Sequence, residues 1–331
     1  MPKQVTDEYK ELFHYTSGAG LEGIVASQCL RATHSSFLND ATEIKLFFDT
    51  RLYPLIETEV QAALAELLKI PGNDKILTSL GGSEVAVREE AKTLTQNIRT
   101  STLAFNHPYI LSLSGTKDKR VEQHGLLSQW RGYGREGGYA LVFDTVRLQE
   151  MLEVEGSAFQ YQNLQRGNVQ YYSGDDDDPP PAEDIQEAEE TLKRGIAKFL
   201  LYRKPEHFET IYDAVTTLSC LYKHWGFHEE REVRVVAIPV HASVAAISAS
   251  IPDAKPLKPV KSFIRDGCPV PYIELFKGGR ADSSEHKLPI VRVVVGPHKD
   301  KELRREATKL LLQAHGTDAD VSFSEIPYIG K

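Results

Sequence analysis

Apolar residues recur every three or four positions from Phe208 through Ile211, Val215, Leu218 and Tyr222 to Trp225, the most regular stripe in the chain. That period predicts a helix with one face buried along its whole length. Gly226 follows where a left-handed helix stop is expected. Behind it, Glu230-Arg231-Glu232-Val233-Arg234 opens the run Val233 to Ile238, whose β-branched content predicts a strand. A core helix feeding directly into a strand commits the chain to packing helices against a sheet.

Alternation along that strand sends Glu230, Glu232 and Arg234 to one face and Val233, Val235 and Ala237 to the other. On a solvent-facing edge the charged face is merely soluble. Along a cleft, the two carboxylates would crowd each other, one could hold a raised pKa, and Arg234 could offset their repulsion.

Other strands are expected at Leu12 to Thr16, Tyr109 to Ser114, Tyr139 to Phe143 and Pro289 to Val295. Ser17 could cap a helix carrying Leu21, Ile24 and Val25 on one face, and Asp40 with Glu43 has capping-box spacing. Two helices fill an insertion over about 51–100, with Val60, Leu64, Leu67 and Leu68 on one stripe and Val87, Ala91, Leu94 and Ile98 on the other. The acidic and proline-rich stretch 173–183 is a surface loop, because its aspartates repel and its prolines cannot donate to a ladder. Beyond it, Asp184 and Glu187 start a helix with Ile185, Ala188, Leu192, Ile196 and Phe199 on one stripe. A last helix after Asp300 is expected to turn Leu303, Ala307, Leu310 and Ala314 inward. The reading is one α+β domain over 1–331, a mixed β-sheet core with helical insertions.

A net charge of −8 disfavours a broad grip on a nucleic-acid backbone. Cys29, Cys220 and Cys268 have neither disulfide-framework nor zinc spacing, which fits a reducing cytoplasm, and no metal is expected. No apolar run approaches the ~20 residues of a membrane span, so no membrane partner is expected. Walker, Rossmann and Gly-x-Ser-x-Gly patterns are missing. The residues left to carry chemistry are His14-Tyr15-Thr16, Ser112 to Ser114, Trp130-Arg131-Gly132-Tyr133 and Glu230-x-Glu232-x-Arg234.

His14-Tyr15-Thr16, Phe37-Leu38-Asn39-Asp40-x-x-Glu43, Ser128-x-Trp130-Arg131-x-Tyr133-Gly134, Glu230-x-Glu232-x-Arg234, Val295-Gly296-Pro297 and Ile326-Pro327-Tyr328 together resemble the bacterial domain-of-unknown-function family DUF2971. The family implies a bacterial accessory, toxin-like or phage-defence role and no particular activity. A looser resemblance is to the ADP-ribosyltransferase superfamily, whose members open with a His-Tyr-type strand, continue through a Ser- or Tyr-bearing strand, and end on a Glu, often in a Glu-x-Glu pair. It implies an ADP-ribosyltransferase-like fold, NAD as substrate and a macromolecular or water acceptor.

Under that resemblance Glu232 would stabilise the oxocarbenium-like ribose and Glu230 would position or deprotonate the acceptor. His14 would hydrogen-bond a ribose hydroxyl, Tyr15 would stack on nicotinamide, Arg131 would pair with the pyrophosphate, and Thr16 and Ser114 complete the nucleotide-binding set. Structural readings stand beside these: His14 as a satisfied strand residue, Trp130 and Tyr133 as packing anchors, Arg234 as a salt-bridge partner of Glu232. A non-catalytic module binding a partner through Trp130 to Tyr133 and the 278–280 glycine loop is the first rival. A metal-dependent nuclease or phosphodiesterase built on Glu230 and Glu232 is the second.

Overall fold

From the N-terminus run α1 (Val5–Glu8), β1 (Glu11–Thr16), α2 (Gly18–Ser27), β2 (Leu30–His34), α3 (Glu43–Leu46), a π-helical turn (Phe47–Leu52), α4 (Tyr53–Leu67) and α5 (Ser83–Phe105). Then come β3 (Tyr109–Gly115), α6 (Lys119–His124), α7 (Leu127–Tyr133), β4 (Tyr139–Asp144), α8 (Thr145–Ala158), β5 (Tyr161–Asn168) and β6 (Gln170–Tyr172). The chain continues through α9 (Glu183–Tyr202), α10 (Glu206–Leu221), β7 (Tyr222–His224), a 3-10 turn (Trp225–Glu230), β8 (Glu232–Pro239), β9 (Val260–Arg265), β10 (Cys268–Leu275), β11 (Ile290–Val295), α11 (Lys301–Ala314) and β12 (Asp320–Phe323). This computed structural model describes residues 5–38, 43–72, 78, 81–105, 107–134, 137–173, 180–204, 206–240, 254–277 and 287–328. The architecture is α+β with a mixed sheet.

The chain divides into two compact units. In the helical unit, Ser35–Pro108 and Gln170–Gly226, the stripes read from sequence are buried at Ala91, Leu94 and Ile98, at Ile185, Leu192 and Ile196, and at Ile211, Val215 and Leu218. A buried charge network joins Arg51 of the π-turn to Glu189 of α9 by two bonds of 2.7 Å, with the Tyr222 hydroxyl donating to the same carboxylate at 2.6 Å. The helix α10 ends at Leu221, short of the expected stop at Gly226. Tyr222–His224 pair with β6 instead, Trp225 is half exposed, and Gly226 is not left-handed. Asn39-Asp40, residues 174–179 of the acidic loop and the glycines of 278–280 lie outside the described residues.

The sheet unit, Lys3–His34, Tyr109–Val169 and Phe227–Lys331, is built on β3. Strand order is β12-β11-β4-β1-β3-β2-β10-β9, with β8 and then β5 on the opposite edge of β3. Among the described strands of this sheet, β11 and β12 are the pair that runs parallel. One face carries Leu12, Leu111, Leu113, Val233, Val235, Leu141 and Val293 into the main core, closed by α2, α8 and α11 through Leu21, Leu148 and Leu312. The other face carries Phe13, Tyr15, Ala140, Val142 and Val294 into a second cluster around Trp130.

Along α11 the expected inward stripe is reversed. Leu303 and Leu310 are 72% and 67% exposed, whereas Thr308 and Leu312 are buried. Two apolar periodicities overlap in this helix, and the sheet selects the one containing Leu312. Leu312→Ala is therefore expected to cost about 2–5 kcal/mol, while Leu310→Ala should stay within about 0.5 kcal/mol of the parent, both read by urea unfolding.

Candidate functional site

Glu232 opens β8 because the chain turns sharply just before it. Glu230 closes the 3-10 turn and Arg231 adopts a left-handed conformation, φ 43°. Period-two alternation therefore starts at Glu232 and not at Glu230, so the two carboxylates do not share a strand face. The expected row of three charges is reduced to Glu232 and Arg234. Val233, Val235 and Ala237 do turn to the opposite face, into the main core.

Register then assembles residues far apart in sequence. Phe13 of β1 faces Ser114 of β3, and Ser114 faces Glu232 of β8, so the three lie in one row across three neighbouring strands. Ser112 faces Arg234 in the next row on the same face. The Ser114 hydroxyl donates to the Glu230 carbonyl at 2.6 Å, tying the turn to the central strand. Glu232 and Arg234 are 5% and 2% exposed. Arg234 grips the carboxylate at both oxygens, Nε to Oε1 at 2.8 Å and Nη2 to Oε2 at 3.0 Å. Such a fork orients the carboxylate.

His14 stands beside this row. Strand β1 pairs with β3 only at Leu12 and Phe13, while β2 pairs with the far end of the same edge at Tyr109 and Ile110. Between the two contacts His14 Nδ1 lies 3.1 Å from the Ser112 carbonyl. A carbonyl only accepts, so Nδ1 carries the proton, and in the neutral ring Nε2 is left as an acceptor. Burial lowers the His14 pKa and favours that neutral form. Alternation sends His14 to the side opposite Phe13, and two strand spacings, roughly 10 Å, separate its backbone from that of Glu232.

Among the other candidates, Tyr15 and Trp130 are packed into the scaffold, whereas Arg131 and Tyr133 are exposed. Tyr15 is buried, accepts from the Leu126 amide at 2.9 Å and meets the Trp130 ring edge-on at 4.9 Å, leaving no face for nicotinamide; burial raises its pKa to about 12. Trp130 is fully buried and donates from Nε1 to the His124 carbonyl at 2.9 Å. Gly125 and Gly296 are required beneath it, since a Cβ would come within 2.5 Å and 3.0 Å of the indole. Thr16 packs on Gly20 of α2, whose cap is Ser17. Arg131 is exposed with its guanidinium 5.5 Å from the Tyr328 ring centre, and Tyr133 is exposed too. The Trp130, Val295-Gly296 and Ile326-Tyr328 motifs thus meet in one place, bracing the sheet from its second face. Phe13, Gly125 and Arg231 belong to this arrangement and carried no sequence signal of their own.

A model of the family described as Protein of unknown function (DUF2971) matches residues 129–235, from beside Trp130 to the middle of β8. No curated protein and no solved structure matches the chain.

Two outcomes follow from the geometry. Arg234→Met leaves Glu232 buried without its counter-charge and should lose about 3–5 kcal/mol, most of it restored when Glu232→Leu is added, as measured by denaturant unfolding. For His14 the folded pKa lies below the unfolded value near 6.5, so the unfolded chain binds more protons as pH falls. The contribution of His14 is present above pH ~6.5 and is lost as pH drops through the folded pKa. His14→Gln should therefore show a shallower stability loss between about pH 7 and 5 than the parent.

Proposed function

We propose that this chain is an NAD-consuming enzyme of the ADP-ribosyltransferase type. The carrying observation is that His14 on β1, Ser114 on β3 and Glu232 on β8 stand on three consecutive strands of one sheet, with Ser114 and Glu232 side by side on one face and His14 turned to the other. These are the motifs, in the order, on which the superfamily resemblance rests.

In the reaction the nicotinamide–ribose bond breaks with its electron pair going to the ring nitrogen, so neutral nicotinamide leaves and positive charge builds on the ribose. Glu232, fixed by Arg234, supplies negative charge at that point, and an acceptor hydroxyl, amine or water then attacks C1 and gives up its proton. Glu230, held in the turn before β8, is adjacent in sequence and suited to the acceptor side. Tyr15, whose ring is packed against Trp130, is given no role in this reading.

A partner-binding module is the second reading, favoured by the exposed Arg131 and Tyr133 on α7. The metal-dependent reading loses its basis, since Glu230 and Glu232 do not share a face.

The deciding assay follows nicotinamide release from NAD by the purified chain, alone and with cell lysate. Release should fall by about 10²-fold or more in Glu232→Gln, with folded protein confirmed by circular dichroism. Release no greater than that of Glu232→Gln under either condition removes the enzyme reading.

A further inference from the structure

The helix α11 has two apolar faces, and the chain covers one of them. Thr308 and Leu312 are buried, and the helix packs on β11 and β12. Leu303, Ala307, Leu310 and Ala314 are all exposed. At 3.6 residues per turn these four lie within about 60° of one another, so they form one continuous stripe. Among the described residues the most exposed large hydrophobic side chains are Leu303 at 72%, Ile264 at 70% and Leu310 at 67%, so two of the three stand on this single stripe. Scattered exposed leucines are ordinary, whereas a line of them along one helix is a contact surface.

The spacing specifies what fits it. Steps of four, three and four residues are those of a coiled-coil seam, and leucine alternates with alanine along it. When a second α11 is laid antiparallel about a two-fold axis between Thr308 and Lys309, Leu303 meets Ala314 of the other copy and Ala307 meets its Leu310. Every leucine then faces an alanine, the large-against-small match that lets two helices approach closely. A parallel pair would set leucine against leucine and leave gaps where alanine meets alanine. The flanking residues agree with the antiparallel register, since Glu306 comes beside Gln313 and Arg304 beside Leu311, and no like charges are opposed. Glu302, Arg305, Glu306 and Lys309 already pair along the helix, and their charges cancel. We propose that α11 is a dimer interface, a self-complementary antiparallel helix pair between two copies of this chain. The helix has 14 residues. Its length of about 21 Å makes a contact at the low end of interface sizes, so the dimer is weak and dissociates in the micromolar range.

Sedimentation equilibrium of the full chain from about 1 to 500 µM spans that range. The average mass should rise from 37.1 kDa towards twice that value with concentration. Leu303→Glu combined with Leu310→Glu should stay monomeric throughout, with an unchanged circular dichroism spectrum. Register is read by disulfide cross-linking in a Cys268→Ser background, because Cys268 is an exposed thiol. Leu303→Cys alone should not cross-link, since its two copies lie roughly 16 Å apart along the helix pair. Mixed with Ala314→Cys, it should give a covalent dimer. A mass that stays at 37.1 kDa at every concentration, dimerisation untouched by the double glutamate variant, or cross-linking of Leu303→Cys with itself and not with Ala314→Cys would each overturn the interface. So would a monomer that binds phosphatidylglycerol vesicles through the same two leucines, since a lipid surface would then be the occupant of the stripe.

Discussion

One edge of β3 serves two strands, and the site is shaped by that sharing. Strand β1 takes the end at Ser114 and Gly115, while β2 takes the end at Tyr109 and Ile110. The Ser112 carbonyl between them would be a lost hydrogen bond in a buried sheet, a cost that native structures seldom carry. His14 answers it with its ring, which is how a titratable side chain comes to be fixed in one tautomer at the middle of the sheet. On the other edge β8 pairs without interruption from Tyr109 to Ser114, setting Glu232 and Arg234 against the two serines. Satisfying one backbone group and completing one ladder together place the His, Ser and Glu motifs on adjacent strands.

The Glu232–Arg234 pair carries a tension between structure and chemistry. Burying two charges costs more than their attraction returns unless the geometry is good, and a hydrophobic pair of equal volume would often serve stability as well. The bidentate fork reduces that cost without removing it. A charged pair at such a position is better explained by a need for an oriented carboxylate than by a need for stability. The same fork would hold Glu232 still while charge develops on a substrate, which is what electrostatic preorganisation requires.

Much of the scaffold was legible in the sequence, and the failures have distinct causes. Stripes such as Ile211-Val215-Leu218 and Ile185-Leu192-Ile196 are buried as their period demands, because one apolar face admits one packing. In α11 two faces were plausible, and only the sheet could choose Thr308 and Leu312 over Leu303 and Leu310. The strand at Glu232 was read correctly but its first two residues were not. A single left-handed residue, Arg231, breaks alternation, and an arginine gives no warning of a positive φ. Trp130 was open to both readings until Gly125 just before it and Gly296, remote in sequence, were seen to leave room for its ring. Close approach of backbone to an aromatic is a tertiary fact that local pattern cannot report.

The two faces of the sheet treat charge in different ways. On one face Arg234 is matched oxygen for nitrogen by a carboxylate two residues away. On the other, Arg166 is held among the described residues by the Thr145 carbonyl, while the acids of the neighbouring elements are engaged elsewhere, Glu8 with Lys117 and Asn168, and Asp144 with the start of α8. A guanidinium bound to a backbone carbonyl ties β5 to the start of α8, whereas one forked onto a carboxylate orients that carboxylate, so the same residue type braces the fold on one face and fixes a charge on the other.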